Sequence, residues 1–295
     1  MRIVSLLFHD VFVRDPAESG FVSPAADRYK LSRPDFDAQL EGLARACPET
    51  AIHAQLSTSD PQLSTTEDTG DTEAFNGKLL DRQSAILCPR VLRGGEVGSL
   101  PFLITVDDGG VSYYTVVADR LEELGWRGHC FVTTDRVGQK GFLTAIQIRE
   151  LDARGHVIGT HSASHPARFS ACPIAGMLNE WTRSRDVLEN LLGHRVTVAS
   201  VPGGYFSAAV ARTAAEAGLR LLFTSEPTTR PCAGNGCVVA GRFTVRANAP
   251  HDFARRLVAP PPRTRRAEWA SWNAKKMIKP LLGSTYSRVA DWLIA

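Results

Sequence analysis

The sequence predicts an α/β protein built on a mainly parallel sheet, open or closed into a barrel, and two observations carry that reading. From residue 101 onward, apolar runs of strand length alternate with helical patterns, each strand giving way to a short polar or glycine-rich turn. The 295 residues, 43% apolar and 22% charged, also hold enough apolar material for one large core. This composition excludes a wholly disordered or low-complexity chain. No apolar run reaches the ~18–20 residues of a membrane-spanning helix.

The first strand of the alternating region is Pro101-Phe102-Leu103-Ile104-Thr105-Val106, stopped by Asp107-Asp108-Gly109-Gly110. Ser112 is the expected N-cap of a helix through Leu124, which Gly125 ends. His129-Cys130-Phe131-Val132 is the second strand. Thr144 and Gln147 form a capping box for a helix ending near Gly155, and Val157-Ile158-Gly159-Thr160 follows as the third strand. A helix over 174–192 stopped by Gly193 comes next, then a strand over Val196–Ala199 and the turn Pro202-Gly203-Gly204. A helix over 207–217 and a strand from Leu219 to Phe223 complete the pattern. Upstream, Ile3 to Phe8 reads as one more buried strand, and Ser32-Arg33-Pro34 opens a helix through Ala46. Residues 57–76 are Ser, Thr, Asp and Glu with almost no large apolar side chain, the composition of a mobile surface loop.

In parallel α/β folds the chemistry sits at the C-terminal ends of the strands. Three predicted strands end in polar clusters: His9-Asp10, Asp107-Asp108-Gly109 and His161-Ser162-Ala163-Ser164-His165. Two imidazoles and a carboxylate make a three-ligand site with open positions, as catalytic zinc and related divalent ions use. His161 and His165 share a face if their segment is a helical turn, closed by Pro166. Adjacent carboxylates at a strand end point to opposite sides, so one can bind an ion while its neighbour serves the attacking water. Each cluster has a simpler reading: Asp-Asp-Gly as a plain turn, the histidines as surface or capping residues. Their joint occurrence at strand ends favours a metal site. The six cysteines are scattered, and the isolated pair Cys232 and Cys237 reads as ordinary loop thiols.

Thr105-Val106-Asp107-Asp108-Gly109 followed by His161-Ser162-Ala163-Ser164-His165 resembles the first two motifs of the polysaccharide deacetylase superfamily, the metal-dependent deacetylases of carbohydrate esterase family 4. The usual forms there are Thr-Phe-Asp-Asp-Gly and His-Ser/Thr-x-x-His, and the resemblance extends over about 101–225. It implies a distorted or incomplete (β/α) barrel, with Asp107 as general base and Asp108, His161 and His165 as ligands of one divalent ion. Zinc is the expected ion, with cobalt, nickel or manganese as alternatives.

The third family motif, Arg-x-Pro-x-Gly, is matched only in part by Ser200-Val201-Pro202-Gly203-Gly204-Tyr205. Its arginine, which in the family orients the base, is missing, and Arg242 is the candidate replacement. Gly203, Gly204 and Tyr205 are the expected oxyanion or substrate contacts through backbone N–H groups, a plain tight turn being the alternative. The fourth motif, an Asp-x-x-Asp-Trp stretch, is absent. The last motif, a strand ending in Leu-x-His, is matched at the opposite end of the chain by Ser5-Leu6-Leu7-Phe8-His9-Asp10, which makes His9 the general acid of a permuted arrangement. His53, His129, His156, His194 and His251 have no such context and read as structural.

The implied activity is metal-dependent removal of N-acetyl groups from a glycan or glycan precursor. An O-acetyl esterase of the same fold and a catalytically inactive glycan-binding module are the alternatives. Two segments are expected, a deacetylase barrel over 1–255 and a basic aromatic tail over 256–295. Residues 255–295 carry nine Arg and Lys against Glu268 and Asp291, a net of +7, which leaves about −4 for the remainder. A mildly acidic body with a basic end does not fit a nucleic-acid-binding domain. Trp269, Trp272 and Trp292 among Lys275, Lys276 and Lys279 suit peripheral contact of 262–295 with an anionic membrane. A closing helix packed on the barrel is the simpler reading of the same residues. The opening apolar run is shorter than the ~7–15 residues of a secretory signal, so the expected location is the cytoplasm, peripheral at the inner face of the membrane. There, a lipid-linked precursor is the natural substrate.

Overall fold

The computed structural model describes residues 2–46, 99–204 and 206–282. The expected mobile loop at 57–76, Tyr205 and the end of the tail with Trp292 lie outside the described residues.

One nine-stranded sheet organises the chain. Its strands are β1 (Val4–Phe8), β4 (Phe102–Val106), β5 (His129–Val132), β6 (Val157–Thr160), β7 (Val198–Ser200), β8 (Leu221–Phe223), β9 (Cys232–Gly234), β10 (Cys237–Ala240) and β11 (Phe243–Thr244). Their spatial order is β11-β1-β4-β5-β6-β7-β8-β10-β9. All neighbours are parallel except the β9–β10 hairpin at one edge. The sheet curls into a half-barrel without closing, so the expected incomplete barrel is what the chain forms. Strands β2 (Val11–Phe12) and β3 (Leu31–Ser32) make a small separate pair.

The strand first in sequence lies in the middle of the site-bearing half. β1 sits between β11 and β4 and runs in register with β4, from Val4 opposite Phe102 to Phe8 opposite Val106. This brings His9 and Asp107, one residue beyond each strand, to the same rim. The period of two in a strand sorts β4 between two faces. Phe102, Ile104 and Val106 join the large core with Val4, Leu6 and Phe8, while Leu103 packs on the other face with Ile3, Phe131 and Phe223. Thr105 and Asp107 follow Leu103 onto that second face.

Helices α1 (Pro24–Asp27), α2 (Arg33–Ala46), α3 (Ala118–Glu123), α4 (Ala145–Ala153), α5 (Ile174–Leu192), α6 (Ala208–Glu216) and α7 (Phe253–Val258) complete the body, and α8 (Arg263–Leu282) follows. The capping box at Thr144 and Gln147 forms as expected, and Gly193 ends α5 in the left-handed conformation at φ 76°. Leu257 and Val258 of α7 are fully buried, so the core continues past residue 255. Ser112 departs from expectation. It makes no cap, and the helix after it opens as a π-helical turn over Tyr113–Val117. Its hydroxyl is committed elsewhere, accepting from the Val11 N–H at 3.1 Å and donating to Asp10 at 2.9 Å.

Candidate active site

The parallel sheet presents its C-terminal strand ends to one rim, and four of them carry polar residues, three of these ends singled out in sequence. Asp107 and Asp108 follow β4, His161 and His165 follow β6, Ser200 ends β7, and His9 follows β1. Asp107, Asp108 and His161 are each less than a tenth exposed.

Asp108, His161 and His165 converge. One donor atom from each falls within a 4.8 Å cluster. The Asp108 Oδ1 lies 3.4 Å from His161 Nε2 and 3.6 Å from His165 Nε2, with the two rings 5.0 Å apart. The opposite ring nitrogen of His161 is 3.0 Å from the Ser200 carbonyl oxygen, which only accepts, so Nδ1 carries the proton and Nε2 turns its lone pair inward. One carboxylate oxygen and inward-facing imidazole nitrogens on a common face suit a zinc-like ion with open positions.

The histidines do not share a helical face, as the sequence spacing suggested. Residues 161–168 form a bent loop, held by Glu180 of α5, whose carboxylate accepts from the Ala163 and Ser164 N–H groups at 3.0 and 2.8 Å. Turning both rings inward takes backbone strain instead. Among the described residues, four that are not glycine have positive φ, and three are Asp108 (75°), Ser162 (64°) and His165 (59°). Such conformations cluster where a site demands a particular side-chain direction.

Asp107 meets a different environment. Its two carboxylate oxygens accept from Arg242 Nη1 and Nη2, each at 2.7 Å, and one also accepts from the Ser200 hydroxyl at 2.9 Å. Arg242 is fully buried, donates through Nε to the Thr224 carbonyl at 3.1 Å, and lies 5.8 Å from the ring centres of Phe131 and Phe223. Burial works to raise the Asp107 pKa, but the Arg242 charge and hydrogen bonds outweigh it and hold the carboxyl well below the usual range. Asp107 is therefore an anion fixed in direction.

His9 lies close enough to Asp108 and Asp107 for both charges to act on it. Burial is the larger influence and lowers its pKa. Its Nδ1 is buried with no hydrogen-bond partner among the described residues, and Tyr29 packs on the ring at 4.9 Å. Gly203 and Gly204 form a turn after β7 with φ of 62° and 68°, which requires glycine. The Gly204 N–H is engaged with the Val201 carbonyl at 3.2 Å.

Sequence reasoning missed Ser200, although it stands at a strand end, where chemistry was expected. It also missed Phe21, whose ring packs 4.9 Å from that of His165.

The polysaccharide deacetylase family model matches residues 95–222, the segment that carries Asp107, Asp108, His161 and His165. That segment matches the polysaccharide deacetylase superfamily. A chitin deacetylase from Pestalotiopsis sp is 30% identical over 129 residues, 44% of this chain and 42% of that protein. The chain spans less than half the length of the curated relatives it matches. The fold extends further. The Streptococcus pyogenes deacetylase PplD, solved in complex with acetate, is 18% identical and superposes with a TM-score of 0.60 over 88% of this chain and 99% of that one. IcaB from Ammonifex degensii, 20% identical, gives 0.57 over 91% and 97%. Both likenesses reach well beyond 95–222 and so include strands outside the matched segment.

Proposed function

We propose that the chain is a metal-dependent hydrolase that removes N-acetyl groups from a glycan or glycan precursor. The observation that carries this is the separation of roles at one rim: three donors converge at Asp108, while its neighbour Asp107 is held as an anion by Arg242. Asp108, His161 and His165 would hold one divalent ion, zinc by preference, which when bound supplies Lewis-acid polarisation of the acetyl carbonyl and acidifies water.

The chain's own groups then divide the proton work. Asp107, its lone pairs aimed by Arg242 and Ser200, takes the proton of the attacking water. His9, on the neighbouring strand, gives a proton to the departing amine nitrogen, without which an amide does not leave. The Gly203 backbone N–H, in the turn after β7, is the proposed donor to the developing oxyanion. Acetate and a free amino sugar result. Arg242 takes the place of the missing motif-three arginine, entering from the far end of the domain. A pure binding module has no use for a buried arginine spent on orienting one carboxylate, so the arrangement supports turnover.

The test is acetate release from an N-acetylated amino-sugar oligomer. Release that a chelator stops and zinc restores is expected. Release from O-acetylated sugars alone would make the chain an esterase, and sugar binding without release would make it an inactive module.

The tail supports a location for the substrate. No helix among the described residues is long and apolar enough to cross a membrane. Helix α8 nevertheless leaves Trp269 52% and Met277 73% exposed, beside exposed Arg266, Lys275 and Lys276. Exposed aromatic and apolar side chains among cations suit an anionic lipid surface, and hence a lipid-linked acceptor. Lys275→Glu with Lys276→Glu is expected to abolish co-sedimentation with phosphatidylserine vesicles, and unchanged sedimentation would remove this part of the reading.

A further inference from the structure

Beside the proposed acid lies a buried carboxylate that the mechanism does not use. Asp10 is 2% exposed. Its Oδ1 accepts from the Ser19 hydroxyl at 2.5 Å and the Ser112 hydroxyl at 2.9 Å, while its Oδ2 is buried with no hydrogen-bond partner among the described residues. The backbone closes on it from two sides. A Cβ at Gly20 or at Gly110 would stand 1.8 Å from a carboxylate oxygen, so neither position accepts a side chain while Asp10 keeps its place.

The partners of Asp10 belong to separate parts of the site. Ser112 ends the turn that carries Asp107 and Asp108, and its hydroxyl also accepts the Val11 N–H at 3.1 Å. Ser19 belongs to the segment 13–30, and its hydroxyl accepts the Ser112 N–H at 2.8 Å. Lys30, 2% exposed, pins that segment by donating to the Pro16 and Ser19 carbonyls at 2.6 and 2.9 Å. The same segment sets Tyr29 against His9 and Phe21 against His165.

We infer that Asp10 is a positioning residue for His9: it ties the end of β1 to the Asp107-Asp108 turn through Ser112, and to the 13–30 segment through Ser19. The need for such a clasp follows from the His9 ring itself. Its Nδ1 finds no partner among the described residues, so the imidazole is aimed by packing and by its own backbone rather than by a hydrogen bond. Asp10 is the next residue in the chain, and fixing its carboxylate fixes the backbone that aims the ring. This inference rests on His9 acting as the acid.

The experiment compares an N-acetyl amide with 4-nitrophenyl acetate, whose phenolate leaves without a proton, on zinc-loaded protein. Asp10→Ala, which removes the oxygen that both hydroxyls reach, is expected to lower the amide-to-ester ratio of kcat by about tenfold or more, since a well-placed general acid contributes ~10²–10⁴-fold. Zinc content should stay as in the unaltered protein, and Asp10→Ala should add nothing further in a His9→Ala background. Ser112→Ala, which cuts only the link to the turn, should move the ratio the same way by less. An equal fall on both substrates, loss of zinc, or a full additional loss on top of His9→Ala would make Asp10 merely structural and overturn the inference. A protein that cleaves the amide independently of His9 would overturn the proposed role of the acid itself, and the inference with it.

Discussion

The guanidinium of Arg242 grips the Asp107 carboxylate through two parallel hydrogen bonds of 2.7 Å, although 135 positions separate the two residues in the chain. The pair forms because β11 and β4 flank β1 in the sheet, which brings the approach to β11 beneath the end of β4. Lysine keeps the charge but cannot make the paired contact. Arg242→Lys is therefore expected to lower kcat/KM by about tenfold to a hundredfold, as a base loses its alignment, with the bound ion retained. Steady-state kinetics beside metal analysis checks this. Arg242→Ala leaves a buried carboxylate without its cation and should cost about 3–5 kcal/mol of stability in urea unfolding.

Ser200 serves both halves of the site through different atoms. Its hydroxyl donates to Asp107, and its carbonyl accepts from His161. The hydroxyl also accepts from Arg242 Nη2 at 2.7 Å, so Ser200→Ala removes its contacts with Asp107 and Arg242 while leaving the carbonyl in place. A net loss of about 1 kcal/mol, or roughly fivefold in kcat/KM, is expected with ion affinity unchanged, measured by titration of the apoprotein with zinc.

Gly204 holds φ at 68°, and a Cβ there would stand 2.7 Å from the Ser225 Oγ. Gly204→Ala should therefore destabilise the protein by about 1–2 kcal/mol from the backbone conformation alone, read as a lower urea midpoint.

His156 gives a pH dependence of known sign. Its Nδ1 accepts the Gly128 N–H at 3.2 Å and faces the Tyr113 hydroxyl at 2.9 Å, so the proton sits on Nε2, which donates to Glu122 at 2.9 Å. Burial, opposed by Glu122, lowers its pKa to about 4 from the 6.5 of a free histidine. Between those values the unfolded chain binds a proton that the folded chain does not. The stabilisation is complete above about 6.5 and is lost as the pH falls toward 4, at up to about 1.4 kcal/mol per unit. Urea unfolding at pH 7.5 and 5 should show the unaltered protein losing more stability than His156→Asn over that interval.

The two halves of the site differ in how far they could be read from the chain. The Asp107-Asp108 and His161–His165 clusters were legible because each is local, with consecutive or near-consecutive residues at the end of an apolar run. His9 was legible for the same reason, and its place beside Asp107 followed from the freedom of a parallel sheet to seat a strand wherever it falls in sequence. Arg242 could be named as a candidate, but its paired grip on Asp107 is invisible in the chain, since it depends on pairings between distant strands. Ser112 was misread because its position before a helix suggests a cap, while its hydroxyl is drawn to Asp10, 102 positions away. The loop geometry of His161 and His165 was misread because spacing alone cannot show positive φ at Ser162 and His165.

The central claim is that Asp108, His161 and His165 hold an ion on which catalysis by Asp107 depends. It is tested most directly by measuring, on the same preparations, divalent metal per chain and acetate released from an N-acetylated amino-sugar oligomer. The expected result is one ion per chain in the unaltered protein, lost together with activity in Asp108→Ala and His161→Ala. In Asp107→Asn the ion should be retained while activity is lost. Ion content undiminished in both ligand variants, or acetate release that persists in metal-free protein, would contradict the account.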